Sequence, residues 1–314
     1  MSGGFRSLHP AVLLVYYAGL LVFAAVLFHP LFLGTILAST LVLFIMQGEG
    51  RRLLRGAPFY LLIAGSAVLL NPLFSHRGSH ILFYLFDQPV TLESVLYGLM
   101  TGMTLLSIFL VFGSYGLNLT TDKFMYLFSA AAPKTALLTW MTLRFVPLFQ
   151  RRLHEIAVIQ RTRGVSVHEG GLRKRMRDGM TMVRVLLTWS LEEAMQTADS
   201  MKARGYGVRR RSAYAVYKLD RRDVLCLAVL VLSEAVCLGF WLAGRGKMEI
   251  YPRMRPMVFG LPEGIMYGAF CLFNILPLIV EGKEKWLWRS SARNISASVI
   301  PAAAAVRLKE YRSP

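Results

Sequence analysis

The stretch "LHPAVLLVYYAGLLVFAAVLFHPLFLGTILASTLVLFIMQG", residues 8–48, contains no Asp, Glu, Lys or Arg. A helix crosses the hydrocarbon core of a bilayer in about 20 residues, so this run is long enough to cross twice. Pro30 in "FHP" divides it, because proline suits the first turn of a new helix and not the middle of an old one. Backbone groups in hydrocarbon must bond to one another within the segment, and helix is the form that does so. Two more charge-free stretches lie between Arg55 and Arg77 and between Glu93 and Asp122. The 314 residues are 55% hydrophobic and 17% charged, against about a quarter charged in a soluble domain. The fold class expected is an all-α integral membrane protein.

Outward from the opening stretch, the spacing predicts about six spans: 10–28, 31–47, 57–74, 91–115, 224–243 and 263–280. "NPLFSHRG" at 71–78 marks a helix exit through Asn71, Pro72 and Gly78. Residues 79–89 are apolar but short, and read as an interfacial segment or a loop over the bundle. Gly98, Gly102, Ser107 and Gly113 in the fourth span permit close helix approach. Cys226, Cys237 and Cys271 fall in apolar segments with no zinc or redox spacing, and read as buried free thiols. No small-residue cleavage site follows the first apolar run, which reads as an uncleaved span.

Four segments follow: 1–116 with four spans, a basic insertion 117–223, 224–281 with two spans, and a basic tail 282–314 carrying Trp286 and Trp288. Arg51, Arg52 and Arg55 place the link between spans two and three in the cytoplasm by the positive-inside rule. An even count of six then puts the insertion and both termini there. The loop 244–256, with Arg245, Lys247, Arg253 and Arg255, argues the other way and is outvoted.

The insertion holds 20 Lys and Arg against 9 Asp and Glu, a net charge of +11. Its periodicity is helical. Leu137, Leu138, Met141, Phe145, Leu148, Phe149, Leu153, Ile156 and Ile159 recur at three- and four-residue steps, with Arg144, Arg151, Arg152 and Arg161 between them. Pro147 lies inside this helix and is expected to kink it. In the second long segment, 180–207, Val183, Leu186, Leu187, Ala194, Ala198 and Met201 track one face. A shorter apolar element, 122–133, precedes both.

Three readings compete for such helices. Basic faces on anionic headgroups gain about 1 kcal/mol per Lys or Arg. A nucleic-acid surface lacks any recognisable module. A docking platform for a cytoplasmic partner explains one more observation: the helices end alike, "QRTRGV" at 160–165 and "KARGYG" at 202–207. Glycine just past a helix takes the left-handed conformation and ends it abruptly. An arginine one position earlier projects from the blunt end, where a partner carboxylate would bind it with about 1.5–3 kcal/mol.

These paired endings resemble the T component of energy-coupling factor (ECF) transporters, ABC-type importers of vitamins and transition-metal ions. "NPLFSHRG" at 71–78, "LRFVPLFQRRLHEIAVIQRTRG" at 143–164 and "SLEEAMQTADSMKARGYG" at 190–207 extend the likeness along most of the chain. The resemblance implies a membrane scaffold whose two coupling helices rest in grooves of two cytoplasmic ABC ATPase subunits. It also implies a transmembrane part that holds a separate substrate-binding S component. The family's Ala-Arg-Gly motifs fall on Thr162, Arg163 and Gly164, with Thr in place of Ala, and on Ala203, Arg204 and Gly205. The implied chain is no enzyme and binds no cofactor; ATP and Mg sit on the ATPases. Its place is the plasma membrane, multi-pass, with no nucleic-acid partner.

Enzyme motifs are otherwise missing. "AGRGKM" at 243–248 lacks the upstream Gly and following Ser/Thr of a phosphate-binding loop. "EEAM" at 192–195 resembles the paired glutamates of CAAX-type membrane proteases, but Thr197 and Ala198 stand where those enzymes carry Arg. His9, His29, His76, His80, His154 and His168 are scattered, and no metal site is expected. Glu234 is the single acid in the interior of a predicted span, Glu93 and Glu263 standing within the first three residues of theirs. An intramembrane carboxylate is a functional hypothesis by default, and the alternative reading is a stand-alone secondary transporter with Glu234 in its ion path.

Overall fold

The computed structural model describes residues 4–74, 80–85, 88–167, 170–208, 217–246 and 260–310, excluding the side chains of residues 82, 83, 85, 88 and 89 and those beyond 287. His76, Arg77, Gly78, His168, the Trp288 side chain and the loop charges Lys247, Arg253 and Arg255 lie outside the described residues. A 3-10 turn, Gly4–Ser7, leads into α1 (Pro10–Val26), α2 (Pro30–Met46) and α3 (Gly50–Phe74). A hairpin of β1 (Ile81–Leu85) and β2 (Gln88–Thr91) precedes α4 (Leu92–Asn118) and α5 (Thr121–Ala131). Then come α6 (Pro133–Thr162), α7 (Leu172–Ala203), α8 (Arg221–Leu242) and α9 (Leu261–Glu310). The chain is an all-α membrane protein, with one two-stranded hairpin among the described residues.

Helices α3, α4, α8 and the Leu261–Leu287 part of α9 are long and apolar enough to cross a membrane; α1 and α2 are apolar with 17 residues each. At 1.5 Å per residue the shorter pair reach about 26 Å, just under a hydrocarbon core of about 30 Å. Each starts on a His-Pro step, with His9 and His29 accepting from the N–H two residues on at 3.2 Å. The hairpin pairs Ile81 with Thr91 and Tyr84 with Pro89, antiparallel, where the sequence suggested only a short interfacial piece or loop. Helix α7 starts eight residues before the expected 180, and the tail read from 282 onward continues α9 as helix to Glu310.

Two units result. Met1–Lys123 with Tyr217–Pro314 form one, and Phe124–Val216 the other. The core belongs to the first. Tyr16, Tyr17, Phe23, Phe32, Phe270 and Phe273 are at most 1% exposed. Tyr16 stacks on Phe273 at 5.4 Å, and Phe23 meets Phe270 and Phe273 edge-on at 5.4 and 5.1 Å. Small residues bring α3 onto α4: a Cβ on Gly102 would lie 2.9 Å from the Ala64 carbonyl oxygen, and one on Gly98 3.1 Å from that of Val68.

At one end of this unit a polar cluster ties five elements together. Asn118 donates to the Tyr17 hydroxyl at 2.7 Å and accepts from Gln47 at 3.0 Å and Arg6 at 3.3 Å. Arg6 also pairs with Glu49 at 3.5 Å. The Glu281 carboxylate accepts the Phe5 N–H at 2.8 Å. Lys123 donates to the carbonyls of Arg6 and Asn118, and its burial, then the nearby Arg6 charge, lowers its pKa. In the second unit α6 and α7 pack through Phe149 on Trp189, at 6.2 Å, with the Arg152 guanidinium 4.7 Å over the same indole.

Candidate functional site

Helices α6 and α7 terminate by one mechanism, legible in their hydrogen bonds. Gly164 has φ +74° and Gly205 φ +80°. In α6 the Gly164 N–H reaches the Arg161 carbonyl and the Val165 N–H reaches that of Gln160, each at 3.0 Å. In α7 the Gly205 N–H reaches Lys202 at 2.9 Å and the Tyr206 N–H reaches Met201 at 3.0 Å. Both are Schellman motifs, with two carbonyls of the last turn satisfied by the two residues after the cap. Arg163 (φ −95°, ψ 9°) and Arg204 (φ −81°, ψ 4°) occupy the same cap position. Nothing stands within 4 Å of a Cβ built on either glycine, so backbone conformation alone selects glycine here.

The first unit uses the same punctuation twice. Helix α2 ends at Gln47 and Gly48 (φ +75°), with Glu49 N–H on the Phe44 carbonyl at 3.2 Å; α8 ends at Ala243 and Gly244 (φ +81°), with Arg245 N–H on Phe240 at 3.0 Å. The motif is therefore ordinary, and the side chains around it make the difference. Gln47 bonds Asn118, Glu49 bonds Arg6, and Arg245 bonds Glu263 at 2.6 Å. Arg163 and Arg204 are exposed, their N–H groups bond back into their own helices, and neither guanidinium has a hydrogen bond or ion pair among the described residues. Thr162, the departure from Ala, donates its hydroxyl to the Ile159 carbonyl at 2.7 Å. It is satisfied within its own helix and leaves the end of α6 unobstructed.

The sequence did not reveal what positions these ends. The Ser166 N–H, just beyond Gly164, donates to Asp178 Oδ2 at 3.1 Å, and Asp178 is 8% exposed. That bond ties the loop after α6 to the first turns of α7. Helix α6 runs from Pro133 to Thr162 with Pro147 inside it. On α7 the face turned inward runs through Asp178, Met182, Leu186 and Trp189; of the expected line, Leu186 and Met201 are half-buried, while Val183, Leu187, Ala194 and Ala198 are exposed. The cause is the breadth of the apolar band: α6 needs only one edge of it. The other edge, Met176, Met180, Val183, Leu187, Leu191 and Met195, is 44–75% exposed. Contiguous apolar stripes of this kind mark interaction surfaces.

Glu234 lies half-buried on α8, its carboxyl carbon 3.3 Å from where a Cβ on Gly19 would be. It is not the single acid of the apolar helices, since Glu281 lies within the apolar part of α9 and is 7% exposed. The sequence reading ended that span one residue too early. Among the described residues no three His, Cys, Asp or Glu converge as a metal site.

Residues 5–214 match the CbiQ family, described as cobalt transport protein. The energy-coupling factor transporter transmembrane protein EcfT of Lactobacillus helveticus is 32% identical over 119 residues, 38% of this chain and 43% of that protein. Its namesake in Bacillus selenitireducens is 32% identical over 105 residues, 33% of this chain and 39% of that one. The Staphylococcus aureus EcfT is 22% identical over 174 residues, 52% and 65% respectively. The chain thus spans between 39% and 65% of the length of these relatives.

Proposed function

The chain belongs to the CbiQ family, which matches it over residues 5–214, and from that premise we propose that it is the transmembrane scaffold of an ECF-type ABC importer. In this reading two cytoplasmic ABC ATPases receive the ends of α6 and α7, and the membrane part holds a substrate-binding S component. The importer takes up a vitamin or a transition-metal ion across the plasma membrane, with both termini and the insertion in the cytoplasm. This chain carries out no chemistry. ATP and Mg, held by the ATPases, supply the energy.

The observation that supports this reading is the repeated helix end with a free arginine. Arg163 and Arg204 present guanidinium groups from rigid rods that terminate within one residue. A carboxylate in each ATPase groove would hold them by bidentate bonds worth about 1.5–3 kcal/mol each. Closure of the ATPases on ATP moves the grooves together, and anchored rods must follow. Helix α7 carries the apolar stripe of Met180, Leu187 and Leu191, a surface suited to the apolar S component. A lever of this kind transmits only the difference in affinity between its end states.

Purification of the full chain from its native membrane in gentle detergent tests the reading. Two ATPase chains, or one in two copies, are expected to accompany the wild type and to be lost when both Arg163→Glu and Arg204→Glu are introduced. A wild-type chain that is folded, active in uptake and without an ATPase would overturn it. Loss of that uptake in Glu234→Gln would then establish the stand-alone transporter instead.

A further inference from the structure

Helices α8 and α9 are pinned at one end, and toward the other a groove is lined by both. At the pinned end the Cys237 thiol donates to the Met266 carbonyl at 3.6 Å, and both residues are fully buried. Arg245 and Glu263 bridge the same end. Fifteen residues back along α8 from Cys237 is Arg222, and fifteen forward along α9 from Met266 is Glu281. Arg222 is therefore level with the turn that carries Lys283 and Glu284, about 22 Å from the pin. The groove measures 1030 Å³.

Its walls are apolar for most of that length. Leu225 and Val229 of α8 face Ile275 and Ile279 of α9, and Leu225, Ile275 and Ile279 are 67%, 47% and 62% exposed. Charge enters only at the mouth, with Arg222, Lys283 and Glu284. Arg222 spends Nη2 on Ser7 and faces Asp223 through Nε at 3.7 Å. Lys283 has no partner among the described residues. Asp223 offsets Arg222, so the unpartnered Lys283 is the cation the mouth has left for an anion.

We propose that this groove binds one anionic glycerophospholipid of the surrounding bilayer, an acyl chain along the α8–α9 walls and the phosphate at Arg222 and Lys283. A ligand for the groove must be apolar over most of its length and anionic at one end, and both halves must be reachable from the membrane. Phospholipids meet that description, and basic pockets between transmembrane helices are a recurrent way of holding their headgroups. Glu284 works against the anion, which makes it the most informative residue to change.

The test uses the full chain in phosphatidylcholine vesicles carrying a trace of diazirine-tailed phosphatidylglycerol or, separately, diazirine-tailed phosphatidylcholine. Photolabelling of the α9 peptide that contains Ile275 and Ile279 is read by mass spectrometry. The anionic probe is expected to label it on the order of 5-fold more than the zwitterionic one, the preference one cation confers near a headgroup. Lys283→Gln is expected to remove most of that preference and Glu284→Gln to raise it, a gain that misfolding cannot mimic. Gly268→Phe, placed where a Cβ meets nothing within 4 Å, is expected to reduce labelling by both probes. Equal labelling by the two probes, unmoved at 283 and 284, would overturn the proposal by making the groove ordinary bilayer contact. Absence of label from the groove walls would also overturn it, and would point to a protein occupant. Since no ATPase enters the readout, the outcome is separate from that of the scaffold reading.

Discussion

The helix ends of the two units share a backbone and differ in what their side chains do. In the membrane unit α2 and α8 finish in Schellman motifs whose neighbours are spoken for: Gln47 by Asn118, Glu49 by Arg6, Arg245 by Glu263. In the insertion α6 and α7 finish the same way, and Arg163 and Arg204 are exposed, their guanidinium groups with no partner among the described residues. Burial follows the same division. Every residue of the aromatic core lies in the membrane unit, while in the second unit, Phe124–Val216, the buried residues described are Ala136, Ser166, Asp178 and Met182. The lesson is that a glycine stop is common punctuation, and the unspent arginine before it is what sets α6 and α7 apart.

The largest expected effect breaks that contrast directly. Arg163→Glu with Arg204→Glu is expected to weaken ATPase association by a factor of 100 or more, on the order of two lost charge-assisted pairs of about 1.5–3 kcal/mol each. Arg245→Glu, at the spent end, is expected to leave association within about 2-fold and to lower only thermal stability, since it takes the partner from the buried Glu263 carboxylate. Quantitative co-purification and a thermal melt separate the two.

Asn118→Leu comes next. It removes the bonds to Gln47, the Tyr17 hydroxyl and Arg6, leaving Tyr17 only Ser114 and Arg6 only Glu49 at this cluster, and is expected to cost the membrane unit about 1–3 kcal/mol in denaturant titration. Trp189→Leu removes the ring that Phe149 and Arg152 contact. A loss of about 1–2 kcal/mol is expected, read as faster amide exchange in α6 and α7 with the core of the membrane unit unchanged. Smallest is Gly205→Ala. Space is open there, and the cost of about 1 kcal/mol comes from the left-handed backbone alone. Limited proteolysis just after Lys202 is expected to quicken while the cut pattern elsewhere stays the same.

The spans and the helix ends were legible in the sequence because each has a local cause. Charge-free runs such as 8–48 leave a chain few options, and a glycine after a basic last turn reports a positive φ before any coordinates exist. What the sequence hid was long-range. Asn118 gathers Arg6, Tyr17 and Gln47 from 112, 101 and 71 residues away, and no periodicity records that. Glu281 escaped because a Glu-Gly step looks like the end of a helix, and there the helix simply continues. The face of α7 was misread by one edge for a different reason: a band wide enough to serve both α6 and a partner has no single periodic line. The hairpin at Ile81–Thr91 falls between two spans, in a segment too short for either period to show.

The most direct test of the central claim uses one photo-crosslinking amino acid at three equivalent positions, the last residue before the cap: Thr162 of α6, Ala203 of α7 and Leu242 of α8. All three are exposed, and all three precede a Schellman end. Irradiated in native membranes, positions 162 and 203 are expected to yield an adduct with the same ATPase, or with two related ones, and position 242 none. Adducts with lipid alone from 162 and 203, or a pattern shared by all three positions, would contradict the account.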